Sequence, residues 1–100
     1  MNVISKRGLS EMMKSKRVDS ETAEELNLWY TTTRAAEWTT FADVRRAFPA
    51  ADQIGRVIVF DIRHNRYRLI TFAVLNKQKL YVKALLTHKE YDREDWKKWA

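Results

Sequence analysis

One hundred residues make one domain, residues 1–100, with room for a single modest core, and 19 Lys+Arg against 13 Asp+Glu leave a net charge of +6. With no cysteine, the chain has no disulfide framework, no thiol nucleophile and no cysteine metal site, and no apolar run nears the roughly 18 residues needed to cross a bilayer. The stretch Met1–Arg7 has no apolar segment after its basic pair and does not read as a signal peptide, so no membrane partner is expected and the expected compartment is the cytoplasm.

The charge is uneven. Residues 1–50 hold 8 Lys+Arg and 7 Asp+Glu, whereas residues 51–100 hold 11 and 6. A basic half points to a polyanionic partner, because Lys and Arg that meet phosphates release counterions. The plain alternative is that the excess only keeps a small protein soluble.

In chain order, Asn2–Ile4 suits a short strand. Leu9, Met12 and Met13 stand at helical spacing, which predicts a helix from about Lys6 to Lys16. Asp19 or Ser20 caps the next helix, with Glu21, Glu24 and Glu25 early, where the helix dipole favours acids. Its apolar stripe is Leu26, Trp29, Tyr30, Thr33 and Ala36, and Thr31-Thr32-Thr33 is where it is expected to fray or bend. Thr40 caps a third helix, Phe41–Phe48, which Pro49 ends, and Ala50–Arg56 reads as a loop.

After Gly55 the texture turns β-branched and aromatic. Strands are expected at Val57–Asp61, Arg66–Leu75 and Leu80–Thr87, joined by Arg63-His64-Asn65 and Asn76-Lys77-Gln78. Short links favour an antiparallel meander. Asp92–Trp99 suits a short final helix. This order predicts an α+β domain, with two or three N-terminal helices on one face of a small antiparallel sheet and a short C-terminal helix.

Side chains alternate across a strand. If Tyr67 and Leu69 are buried under the helices with Val82, Ala84 and Leu86, then Arg66, Arg68 and Lys83 share the opposite face. Three cations on adjacent strands call for a counter-anion, and a phosphodiester is a natural one. Ile70, Phe72 and Val74 continue the same face, so it is partly apolar and suited to cover by the C-terminal segment. His88 at the end of the third strand, with Tyr91 three residues on, is a usable proton-transfer pair. No metal-ligand spacing, Gly-rich phosphate loop or cofactor motif is recognisable, so neither metal nor cofactor is expected.

Three segments in order carry a resemblance. Ala47-Phe48-Pro49-Ala50-Ala51-Asp52 is similar to an x-F-P-x-A-D element. Val59-Phe60-Asp61-Ile62-Arg63-His64-Asn65-Arg66-Tyr67-Arg68-Leu69-Ile70 is similar to V-F-N-I-x-x-N-x-Y-R-L-I. Tyr81-Val82-Lys83-Ala84-Leu85-Leu86-Thr87-His88-Lys89-Glu90-Tyr91-Asp92 is similar to Y-I-R/K-x-x-L-T-H-x-E-Y-D. Together they cover about half the chain and resemble HigB-type toxins of the RelE-like superfamily. That resemblance implies a compact α+β endoribonuclease that cleaves messenger RNA on the translating ribosome. It also implies neutralisation by a HigA-type helix-turn-helix antitoxin.

Metal-free RNA cleavage of this kind lets the 2′-OH attack the adjacent phosphate, and needs a base, an acid and cations. Arg68 and Lys83 are the expected charge stabilisers, His88 the proton-transfer group, and Tyr91 its assistant or a base-stacking ring. Arg63, Asn65, Arg66 and Lys89 are the expected RNA-binding groups, and no residue is singled out as the general base. Lys83 stands where many relatives carry Arg, so a bidentate phosphate contact is in question there. Other roles compete: Arg68 pairing with Asp61 across neighbouring strands, Lys83 as a solvated lysine, His88 bonded to backbone, Tyr91 as packing. Trp96 and Trp99 read as an anchor onto the sheet. A non-catalytic RNA-binding module, with Tyr67, Phe72 and Tyr81 as stacking rings, is the main rival function, and an antitoxin-docking protein is the second.

Overall fold

The computed structural model describes residues 1–5 and 8–100. Its elements run β1 (Asn2–Ser5), α1 (Leu9–Lys16), α2 (Ser20–Ala35), α3 (Phe41–Ala47), β2 (Asp52–Ile54), β3 (Val57–Ile62), β4 (Tyr67–Val74), β5 (Lys79–Thr87) and α4 (His88–Asp92). Two 3₁₀ turns, Leu75–Lys77 and Asp95–Trp99, complete it. The part of the expected first helix that falls on Lys6 and Arg7 lies outside the described residues.

The strands form one five-stranded sheet in the order β1-β5-β4-β3-β2. β2 to β5 are antiparallel neighbours, as their short links dictate, but β1 runs parallel to β5, with Val3 opposite Leu80 and Ile4 opposite Tyr81. The sheet is therefore mixed, not antiparallel as expected. The reason is connectivity: three helices separate β1 from the later strands, which gives the long crossover that a parallel neighbour needs. The short C-terminal helix expected at Asp92–Trp99 lies earlier, as α4 at His88–Asp92, and Asp95–Trp99 forms a 3₁₀ turn instead.

Two local expectations are also corrected. The segment read as a loop before Val57 contains β2, a short edge strand of low strand propensity held by its pairing to β3. The hairpin turns on Gly55, whose φ is +59°; a Cβ there would lie 3.0 Å from the Ala100 carbonyl carbon. The second correction is at Thr31–Thr33, through which α2 runs unbroken. Thr33 is fully buried there and the Thr31 hydroxyl donates to the Asn27 carbonyl at 3.0 Å, so packing overrides propensity. Both expected caps hold: Asp19 accepts from the Thr22 N–H at 2.8 Å, and Thr40 forms a capping box with Asp43.

The sheet has a core on each side. Towards α1–α3, Leu26, Trp29 and Trp38 pack on Phe60, Leu69, Leu80, Val82 and Leu85. On the opposite face, Trp96 covers Val57, Val59 and Ile70, with Ala84, Leu86, Tyr91 and Trp99 beside it. The C-terminal segment thus covers the apolar part of the face that carries Arg68, as its alternation requires.

A bulge decides which side chains reach which face. Thr71 pairs with Val82 but Ile70 pairs with Ala84, so Lys83 is the extra residue. Beyond it the alternation restarts out of phase. Leu85 joins Val82 under the helices, while Ala84 and Leu86 go to the other side, which reverses the assignment expected from strict alternation. Among the described residues no helix is long and apolar enough to cross a membrane.

Candidate functional site

The β3–β4 hairpin ends in Arg63-His64-Asn65-Arg66. The Arg66 N–H closes it on the Arg63 carbonyl at 3.1 Å, and Arg63, His64 and Asn65 all have left-handed φ, at 57°, 51° and 73°. Positive φ at both central residues is the primed-turn geometry that matches strand twist. Carboxylates from the start of α2 hold the turn. Glu25 accepts from the Arg63 N–H at 2.8 Å, Glu21 lies 2.7 Å from the Arg63 guanidinium, and Asp19 lies 3.7 Å from that of Arg66. His64, Asn65 and Arg66 remain exposed at the tip.

Arg68 sits directly opposite Asp61 in the register and forms an ion pair with it. Its guanidinium also lies 4.8 Å from the centre of the Tyr91 ring, and Tyr91 stacks on Trp96 with centroids 5.0 Å apart and planes 5° from parallel. The Trp96 indole N–H donates to the Tyr91 carbonyl at 3.0 Å, which fixes that stack. Both rival expectations, the Asp61 pair and Tyr91 as packing, are therefore present in the fold. Arg68 is nonetheless not fully satisfied: among the described residues its buried Nε has no hydrogen-bond partner.

α4 starts where β5 stops. Thr87 caps it, accepting from the Glu90 N–H at 3.3 Å, while Glu90 accepts from the Thr87 N–H at 3.0 Å. Glu90 also meets the Lys16 ammonium at 2.5 and 2.6 Å, which ties α1 to α4. The hydrogen bond from Lys16, followed by that from the Thr87 backbone, holds the Glu90 carboxyl below its ordinary range. His88 donates its backbone N–H to the Arg66 carbonyl at 3.2 Å, while its ring stays exposed with Nε2 3.2 Å from the Asp92 carboxylate rather than bonded to backbone. Lys89 is exposed beside it.

Arg66, Arg68, His88 and Tyr91 are thus brought to one end of the sheet, with Arg63, Asn65 and Lys89 around it. Lys83 is apart from them. It lies three residues before Leu86, the partner of Arg68, or about 10 Å along the strand. Its ammonium lies 5.7 Å from the Tyr81 ring centre, and it lines a cleft with Met12, Ser15 and Lys16. Among the described residues no three His, Asp or Glu side chains are grouped to hold a metal ion.

Sequence reasoning missed two partners of this end. The i,i+4 spacing of His88 and Asp92 on a helix is a readable signal. The Lys16–Glu90 pair joins residues 74 apart, and nothing local announces it.

A family model, HigB_toxin, described as the RelE-like toxic component of a toxin-antitoxin system, matches residues 22–94. No match is found among curated proteins. The matched span runs from the first turn of α2 through α4 and so takes in both the Arg68 pair and the His88 helix.

Proposed function

Because the chain belongs to the HigB toxin family, the RelE-like toxic component of a toxin-antitoxin system, and so has an antitoxin partner, we propose that it is an endoribonuclease that cuts messenger RNA on the ribosome. A HigA-type helix-turn-helix protein is its proposed antitoxin. The observation that carries the proposal is the position of Arg68, held over the Tyr91 ring at the strand end where His88 opens α4. A fixed cation beside an exposed imidazole is what in-line attack on a phosphodiester requires.

In the proposed reaction the 2′-oxygen attacks phosphorus as its proton leaves to a base. The bond from phosphorus to the 5′-oxygen breaks, and that oxygen takes a proton, leaving a 2′,3′-cyclic phosphate and a free 5′-hydroxyl. Protonated His88 is the proposed donor, oriented by Asp92. Arg68 is the proposed stabiliser of charge on the phosphate oxygens. Tyr91 positions Arg68 and presents an edge to a base. Lys83 adds positive charge further along the RNA, and Arg63, Asn65, Arg66 and Lys89 hold the backbone around the hairpin tip. The general base is left unassigned.

The Asp61–Arg68 pair favours one rival, a basic module that binds RNA without cutting it, since it gives Arg68 a structural reason to exist. Induced expression separates the two. The proposed enzyme arrests growth and cuts messenger RNA, and Arg68→Ala or His88→Ala relieves both effects. Full toxicity in both variants sinks the proposed site. A small neighbouring reading frame encoding a helix-turn-helix protein, able to restore growth when co-expressed, is the matching check on the partner.

A further inference from the structure

The sheet face opposite α1–α3 is covered at one end only. Trp96 and Trp99 lie over Val57, Val59 and Ile70, and past Ile70 the same face continues as Phe72 and Val74 on β4. Phe72 stands directly opposite Tyr81, with ring centroids 6.5 Å apart and planes at 59°. Ile4 of β1 pairs with Tyr81 from its other side and lengthens the row. Ile4, Phe72, Val74 and Tyr81 belong to neither core cluster, and each stays partly exposed. Lys83, swung out by the bulge, places its ammonium 5.7 Å from the Tyr81 ring centre, and Lys79 stands two residues before Tyr81 on the same face. Among the described residues neither lysine has a carboxylate within ion-pair distance.

Apolar side chains left partly exposed in a contiguous row, outside both cores, suit a surface that meets a partner. This partner must offer a flat face to each of two tilted rings and be anionic enough to neutralise two lysines. Unpaired nucleotides are both, because every base has a π face and every link a phosphate. An apolar protein helix satisfies the rings but not the ammonium groups. Duplex RNA satisfies the charge but keeps its bases stacked on each other.

We propose that Phe72 and Tyr81, flanked by Lys79 and Lys83, form a base-stacking platform for single-stranded RNA. It lies four residues, about 13 Å, along β4 from Arg68. The inference rests on the RNA-cleaving reading, for which it supplies a holding site beside the cutting one. The platform selects unpaired substrate without reading its sequence, since stacking tolerates any base.

The test is binding of a fluorescent single-stranded RNA 12-mer, 2′-O-methylated so that no 2′-OH can attack, followed by anisotropy over a salt series. Phe72→Leu and Tyr81→Leu keep apolar bulk on the strands, and a thermal melt checks that each stays folded. Each is expected to weaken binding about tenfold with the salt slope unchanged. Lys79→Gln with Lys83→Gln is expected to flatten that slope by about 1.4, roughly 0.7 for each phosphate contact. A duplex of the same sequence is expected to bind wild type and the leucine variants alike. Leucine variants that bind the single strand as tightly as wild type overturn the platform, as do equal losses on the duplex. Unchanged RNA affinity with impaired antitoxin capture reassigns the patch to protein docking and overturns it too. Ring-dependent binding by a chain that neither arrests growth nor cuts RNA upholds the platform and sinks the ribonuclease reading. The reverse pattern sinks the platform alone.

Discussion

Arg68 is held by two partners of different kinds, and each predicts a different consequence of change. Asp61 neutralises its charge, and the Tyr91 face fixes its plane. Removing the arginine leaves a half-buried carboxylate unpaired, so Arg68→Ala is best read beside Arg68→Lys, which keeps the charge but loses the planar stack. RNA cleavage is expected to fall about a hundredfold in Arg68→Ala, and Arg68→Lys to lose much of its activity at near wild-type stability in a urea melt. Activity lost in Arg68→Ala but kept in Arg68→Lys would instead mark the pair as structural. His88 has an exposed ring and one side-chain partner, so His88→Ala is expected to cost about a hundredfold or more in cleavage with little change in melting temperature. The placement of both residues was legible in the sequence: Arg68 from alternation and its pairing with Asp61, His88 from its position where the last strand ends. Lys83 was legible only as a basic strand residue. A bulge is a backbone choice made between two chains of pairing, and no side chain near residue 83 declares it.

Among the elements, α4 stands earlier than expected: the final helix was read at Asp92–Trp99, whereas the α-helix is His88–Asp92 and Asp95–Trp99 is a 3₁₀ turn, and its anchor was invisible. Thr87 and Glu90 stand at capping-box spacing, but the Lys16 contact that holds Glu90 depends on α1 being folded over β5. Thr87→Ala is expected to cost about 1 kcal/mol, read from a denaturant melt, and to loosen the helix that presents His88. The Lys16 bond holds the folded-state pKa of Glu90 below its unfolded value. The stability that Glu90 contributes is therefore complete above the ordinary glutamate range and is lost as the pH falls through the lower folded value. Wild type is accordingly expected to lose stability below about pH 4. Glu90→Gln is expected to start less stable at neutral pH and to show a shallower acid decline. Equal slopes in the two proteins would refute this linkage. α2 teaches the converse lesson. Its three threonines argue against a continuous helix, and only the burial of Thr33 explains why it continues.

At the scale of the whole molecule, the single sheet with a core on either face was half legible. The helical layer and the meander followed from periodicity and short links, and even the cover over Ile70 was implied by an apolar run on a basic face. The parallel β1 was not, because four residues carry no signal of their partner or direction. Trp96 is the keystone of the smaller core, only 3% exposed and stacked on the ring that carries Arg68. Trp96→Ala is expected to cost about 3–5 kcal/mol and to abolish growth arrest with it, measured by thermal melt and by induction. Trp99→Ala, at a less buried position, is expected to cost less.

The parallel pairing of β1 with β5 also sets an order of events in time. Residues 2–5 are synthesised long before residues 79–82, so the first strand emerges with no neighbour to join. Its contacts are among the most distant in the chain, and closing so long a loop is slow compared with forming helices or hairpins. The sheet edge beside Tyr81 and the α1–α4 tie through Lys16 both wait on the same late step. The fold is thus completed only after most of the chain has been translated.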